Sequence, residues 1–277
     1  MSVAQHGPIG VFDSGVGGLS VLRAIRRELP AEDLLYVADQ AHVPYGPRPL
    51  LEVRQYAEGI ARYLISRGAK AIVVACNTAS AAALHYLRQR FPEVPFVGME
   101  PAVKPATQGT QTGVVGVLAT PATFQGQLYA SLVERFAQGT ALLEHTCPGL
   151  VQQIEKGDLD GPQTRAILED ALRPMLAQGM DTVVLGCTHY PFVIPQIQAI
   201  VGPAVRVLDP APAVARQTRR VLAQRAALRP PGPRPGQITL LTTGEDPTAF
   251  ARLAQRLLGE AHPVRQVRWG EDILKAP

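Results

Sequence analysis

The sequence predicts an α/β protein made of two pseudo-symmetric, doubly wound parallel-sheet domains, with a site in the cleft between them. Three observations carry this expectation. Short β-branched apolar runs alternate with segments of helical period, the order that yields parallel sheets. Two of those runs read alike: Ala71 to Thr78 is A-I-V-V-A-C-N-T, and Thr182 to His189 is T-V-V-L-G-C-T-H. A second pair also recurs, Gly10 to Ser14 (G-V-F-D-S) and Gly116 to Thr120 (G-V-L-A-T). The offsets are 106 residues from Gly10 to Gly116 and 111 from Cys76 to Cys187. Two motifs at similar offsets indicate an internal duplication.

Taken in order, Ile9–Phe12 is a buried strand and Asp13–Gly18 a glycine-rich turn. Leu19, Leu22, Ile25 and Leu29 then fall on one helical face, and Pro30 ends that helix. Leu34–Ala38 is a second strand, His42–Pro49 a proline-rich loop, and Leu51–Ser66 a helix leading to the first cysteine strand. Asn77–Ser80 opens the next helix with N-cap chemistry, and Val94–Gly98 is another strand. The second cycle starts at Val114–Leu118 and reaches the second cysteine strand and Val205–Leu208. A Pro/Gly-rich loop at Pro230–Gly236, a strand at Ile238–Thr243 and a helix over about Pro247–Leu258 complete the chain. This remainder has no duplicate and is expected to pack on the first domain. The domains expected are residues 1–98 plus 209–277, carrying Asp13 and Cys76, and residues 99–208, carrying Cys187 and His189.

At 277 residues the chain suits two domains of roughly 100–150 residues each. The net charge of +4 is spread out. Its densest basic stretch, Arg216 to Arg229, holds Val221, Leu222 and Leu228 but no interleaved aromatics. It reads as a solvated helix face, and no nucleic-acid partner is expected. Met1 to Pro8 is polar, without the apolar stretch of a signal peptide. No apolar run approaches the ~20 residues of a membrane span. Three cysteines without a secretory signal point to reduced thiols in the cytoplasm.

Carboxyl ends of parallel strands are where α/β proteins place ligand chemistry. Cys76 and Cys187 sit at two such ends, each before a helix start, where free amides and the helix dipole favour a thiolate. Inert core filling and metal ligation by Cys76, Cys187, His189 and Asp13 are the alternatives, though the spacing matches no structural zinc pattern. Cys147, in T-C-P-G, lies outside the repeat and reads as a packed or reduced surface thiol. His189, two residues after Cys187, is placed to exchange a proton with it. Asp13-Ser14-Gly15-Val16-Gly17-Gly18 has two readings. One is a dinucleotide loop with Asp39 as ribose acid, but Ser20 stands where its third glycine belongs and Asp13 faces the pyrophosphate. The other, preferred, is a substrate site in which Ser14 and loop amides hold a carboxylate. Tyr45 and Gly46 on the following loop, and Thr120 and Thr123 after the Val114 strand, are further candidate donors.

These same residues resemble the aspartate/glutamate racemase family, and its glutamate racemases most. The matching pieces are F-D-S-G-V-G-G-L-S-V around Asp13, V-P-Y-G at Tyr45, V-A-C-N-T-A-S at Cys76, G-M-E-P-A-V-K-P-A at Glu100, A-T-P-A-T at Thr120, and G-C-T-H-Y-P at Cys187. They run in the family's order over roughly residues 9 to 191. His189 stands where aspartate racemases typically carry glutamate. Arg48 and Gln152 depart from the usual lysine and proline, the second beside Glu155.

The resemblance implies racemisation of L- and D-glutamate by two opposed cysteines. Cys76 would act as base toward D-glutamate and Cys187 toward L-glutamate, with Asp13 and His189 tuning them and Glu155 as an accessory. Ser14, Tyr45, Gly46, Asn77, Thr78, Thr120, Thr123, Thr188 and His189, with Asp13, would hold the substrate. The resemblance also implies no pyridoxal phosphate or other cofactor, no metal, a homodimer, and D-glutamate supply for peptidoglycan. An aspartate racemase, a binding protein without turnover and a dinucleotide enzyme are the competing readings.

Overall fold

The structure, a computed structural model, describes residues 7–270 and 274–275. Met1–His6, most of the polar N-terminal stretch noted above, lie outside the described residues, as do 271–273 and 276–277. Among the described residues ten strands build two large sheets, and Arg268–Trp269 pairs antiparallel with Leu274–Lys275. The ten are β1 (Ile9–Asp13), β2 (Leu34–Ala38), β3 (Ala71–Val74), β4 (Phe96–Val97), β5 (Val114–Ala119), β6 (Ala141–His145), β7 (Thr182–Gly186), β8 (Arg206–Leu208), β9 (Ile238–Thr242) and β10 (Val264–Gln266). The first sheet has the order β10-β9-β2-β1-β3-β4, the second β6-β5-β7-β8. Every pairing in both is parallel.

The duplication read from sequence is a topological one. The inner order β2-β1-β3-β4 repeats as β6-β5-β7-β8, so β1 corresponds to β5 and β3 to β7. Every residue of β1, β3 and β7 is buried. Continuous apolar runs form such central parallel strands because helices cover both faces. In a doubly wound sheet the loops separate at the point where strand order reverses, leaving a crevice at the carboxyl ends. Here that point lies between β1 and β3, and between β5 and β7.

The helices follow the same logic. Leu19–Glu28 buries Leu19, Leu22 and Ile25 and ends in Arg26 and Arg27, which suit the negative end of its dipole. The helix Ala211–Gln224 carries part of the basic stretch; Val214, Ala215, Thr218 and Leu222 are buried, while Arg216, Arg219 and Arg220 face solvent. Its arginines are therefore the solvated face the sequence suggested. Among the described residues no helix is long and apolar enough to cross a membrane.

Three strands are shorter than read: Val94–Gly98 reduces to Phe96–Val97, Val205–Leu208 to Arg206–Leu208, and Ile238–Thr243 to Ile238–Thr242. Pro95 stands directly before the first of these and donates no ladder hydrogen bond. The segment beyond residue 208 returns to the first sheet, where β9 pairs with β2 and β10 extends the edge.

A buried ion pair anchors that return. Lys70 Nζ lies 2.6 Å from Glu32 Oε2 and donates to the Ala227 carbonyl at 2.7 Å. Glu32 Oε1 accepts the Arg229 amide at 2.8 Å. Both side chains are buried, so removing one strands the other charge without water. Lys70→Met is expected to lower the unfolding free energy in urea by about 3–5 kcal/mol. A loss below about 1 kcal/mol would mean that the pair does not hold this segment.

Candidate active site

The carboxyl ends of the two sheets face each other across a narrow cleft. From the first sheet come Ser14 after β1, Pro44, Tyr45 and Gly46 on the loop after β2, and Cys76, Asn77 and Thr78 after β3. From the second come Thr120 after β5, Val151, and Gly186, Cys187, Thr188 and His189 at the end of β7. The cleft therefore gathers nearly all the residues singled out from sequence. Asp13, Thr123 and Glu155 stand behind this lining. Val151 is an addition that sequence reasoning missed; an apolar residue in a short helix carries no local signal of a site.

Each cysteine has a different neighbourhood. Cys76 itself, rather than the expected Asn77–Thr78, is the N-cap of the helix Asn77–Arg90, and its Sγ accepts the Ala79 amide at 3.4 Å. Sulfur can substitute for the usual cap oxygen because the amides of the first turn lack intrahelical partners. Its thiol pKa is nevertheless not lowered. Burial, then the charge of Asp13 beside it, pushes it well up, and the Ala79 amide opposes them too weakly. The Asp13 carboxyl is itself raised by burial, against the charge of His189 and the bonds from Gly18, Cys76 and Ser14.

Cys187 instead faces a cationic partner. Its Sγ lies 3.7 Å from His189 Nδ1, and His189 Nε2 donates to Glu155 Oε1 at 2.6 Å. Burial pulls the imidazole pKa down, but the bonds to Cys187 and Glu155 win and raise it well above the ordinary histidine range. Burial would raise Glu155, yet His189, the Val16 amide and Gln40 hold it below the usual carboxylate range. Glu155 thus sits under the site as a charged support for His189.

The glycine-rich turn is shaped around this pair. A Cβ at Gly15 would overlap the Glu155 carboxylate, and one at Gly17 the His189 ring. Its amides are also in use: Gly18 N–H donates to Asp13 Oδ2 at 2.7 Å and Val16 N–H to Glu155 Oε1 at 2.8 Å. These two cannot hold a substrate carboxylate, contrary to the sequence expectation for the loop amides. Asp39, the would-be ribose acid, is fully buried and already accepts bonds from Tyr45, His42, Thr243 and Trp269. The dinucleotide reading therefore fails on both of its supports.

Threonines bridge the cleft. Thr78 and Thr120 share a hydroxyl bond of 2.8 Å, and Thr120 and Thr123 one of 2.9 Å. Ala122 N–H donates to the Gly46 carbonyl at 3.2 Å, and Ser20 Oγ to the Thr188 carbonyl at 2.9 Å. The Tyr45 hydroxyl donates to Asp39 at 2.6 Å, so its proton is not offered to the cleft. Both polar atoms of Asn77 are buried without a hydrogen-bond partner. Unpaired buried polar atoms are costly, and those beside a cleft are suited to a polar ligand. Among the described residues no group of three or more His, Cys, Asp or Glu side chains could hold a metal ion. Cys147 is buried, and its thiol, pushed up to about 12 by burial and the neighbouring Cys187, is held protonated.

Residues 9–218 match the family model for Asp/Glu/Hydantoin racemase. The chain belongs to this family and is an isomerase. A glutamate racemase from Roseiflexus sp. (strain RS-1) is 54% identical over 257 residues, covering 93% of this chain and 94% of that protein. The solved glutamate racemase from Thermus thermophilus, in complex with β-chloro-D-alanine, is 41% identical with a TM-score of 0.81. That match covers 95% of this chain and 98% of that one. Escherichia coli glutamate racemase, solved with L-glutamate and the activator UDP-MurNAc-Ala, is 30% identical with a TM-score of 0.82. It covers 95% of this chain and 100% of that one.

The His189–Glu155 pair has a direct signature. A raised imidazole pKa contributes stability that is present at low pH and lost as pH rises through the folded value. A depressed carboxylate pKa contributes stability lost as pH falls through its folded value. The pair is thus intact between the lowered Glu155 and raised His189 values. Glu155→Gln is expected to bring the His189 titration, followed by NMR of the ring nitrogens, down toward the ordinary range. An unmoved titration would show that Glu155 does not support the imidazolium.

Proposed function

We propose that this racemase interconverts L- and D-glutamate without a cofactor, using Cys76 and Cys187 on opposite faces of the α-carbon. The observation that carries this reading is the pairing of two buried cysteines, at corresponding strand ends of the duplicated sheets, across one narrow cleft. Named relatives and solved structures that are glutamate racemases over nearly the whole chain support the substrate.

From L-glutamate, the Cys187 thiolate takes the α-proton, and the Cys76 thiol gives its own proton to the other face of the carbanion. D-glutamate leaves, and proton exchange returns the two sulfurs to their starting states. From D-glutamate the roles reverse: Cys76 is the base and Cys187 the donor. His189 faces Cys187 Sγ at 3.7 Å as its proton partner, while burial and Asp13 keep Cys76 as the thiol. Asp13 serves Cys76 when a proton must be exchanged there.

Without an electron sink the carbanion depends on fixed donors and exclusion of water. Ser14, Asn77, Thr78 and Thr188 supply donors, with Gly46, Thr120 and Thr123 closing the side-chain end of the substrate. Tyr45 contributes through the loop it fixes. The reading places the enzyme as a homodimer in the cytoplasm, where D-glutamate would feed peptidoglycan synthesis.

Cys76→Ala and Cys187→Ala are each expected to abolish racemisation in both directions, measured by circular dichroism of L- and D-glutamate solutions. Full turnover in either variant would sink the two-base reading. L-aspartate as an equally good substrate would instead move the chain to the family's aspartate enzymes.

A further inference from the structure

Asp39 lies outside the cleft lining, yet its carboxylate joins the cleft to the far end of the chain. It is buried and its oxygens are divided between two sets of donors. Oδ2 accepts the Tyr45 hydroxyl at 2.6 Å and His42 Nδ1 at 2.9 Å. Oδ1 accepts the Thr243 hydroxyl at 2.8 Å and the Trp269 indole N–H at 2.7 Å. One set belongs to the loop that lines the cleft, the other to the segment that follows the end of β9.

From these contacts we infer that Trp269 is a positioning residue for the substrate site, acting through Asp39 on the Tyr45–Gly46 loop. The inference rests on the reading of that loop as part of the glutamate site. The backbone at Asp39 is fixed, since its N–H donates to the Asp13 carbonyl at 2.9 Å and the Thr243 N–H to the Ala38 carbonyl at 3.0 Å. What remains adjustable is the carboxylate orientation, and its donors set that. A buried carboxylate deprived of one donor turns toward those that remain. Tyr45 is one of them, and its neighbour Gly46 reaches the opposite wall through the Ala122 amide.

The indole itself is braced. Trp269 meets His42 edge-on at 5.3 Å between ring centroids and Tyr56 at 5.8 Å, and His42 stacks on Tyr56 at 3.9 Å. The aromatic cluster thereby holds the N–H in line with Oδ1. Trp269→Phe keeps an aromatic ring in the cluster and removes the N–H donor together with the indole's second ring.

The experiment is a double-mutant cycle with Trp269→Phe and Tyr45→Phe in the full chain, read as KM and kcat for D-glutamate. Trp269→Phe is expected to raise KM about tenfold with kcat within about twofold. In the Tyr45→Phe background the same change should add less than about twofold to KM, because both act through one carboxylate. Thr243→Val, which removes the other Oδ1 donor, should raise KM in the same direction. Independent, multiplying effects on KM, or a KM unmoved by Trp269→Phe, would overturn the inference.

A second measurement needs no substrate. The chain has one tryptophan, so its emission reports Trp269 alone. Tyr45→Phe should shift that emission in the free protein, and an unchanged spectrum would overturn the linkage. If Tyr45→Phe shifts the emission while the wild-type chain does not racemise glutamate, the substrate reading falls and the linkage stands.

Discussion

One carboxylate oxygen ties the two halves of this molecule together. Glu155 Oε1 accepts both the Val16 amide of the first sheet's glycine turn and Nε2 of His189 at the end of the second sheet. Gly15 and Gly17 lack side chains because this carboxylate and this ring occupy the space. Together with the bond to Cys187, the same contact lets a buried imidazole remain protonated. Closure of the cleft, the shape of the turn and the charge beside Cys187 therefore share one physical origin. The Ser20–Thr188 and Thr78–Thr120 bonds add to it on either side.

Duplication supplies the geometry and divergence supplies the chemistry. Two sheets of the same strand order bring equivalent strand ends together, which is how two cysteines come to line one cleft. Their surroundings are not equivalent. Cys76 caps a helix beside a buried carboxyl, and Cys187 faces an imidazole. In the proposed two-base reaction one sulfur must start as the thiol, and burial with Asp13 holds Cys76 in that state. Symmetric surroundings would leave both sulfurs in the same state.

Much of this was legible in the sequence because it is written locally. Buried parallel strands are continuous apolar runs, and the repeated strand–cysteine segments marked both the duplication and the cleft. The features that were not legible depend on contacts between distant positions. Helix-start chemistry at Cys76 suggested a lowered thiol pKa, whereas the neighbouring Asp13 and burial raise it. The loop amides of Val16 and Gly18 looked free for a ligand, but they serve Glu155 and Asp13. Asp39 resembled a ribose acid by its place after β2, and only the fold shows Thr243 and Trp269 reaching it from the chain's end. No periodicity or spacing encodes such a contact.

The central claim is that the two thiols work from opposite faces, and isotope placement in D₂O tests it most directly. L-glutamate would be converted to a small extent, and both enantiomers recovered for mass analysis of the α-position. Two separate bases predict deuterium in the D-glutamate formed and little in the remaining L-glutamate, because the donor that faces solvent exchange is not the base that took the proton. Deuterium entering the L-glutamate pool as fast as D-glutamate forms would contradict the account, since a single base serving both faces gives that result.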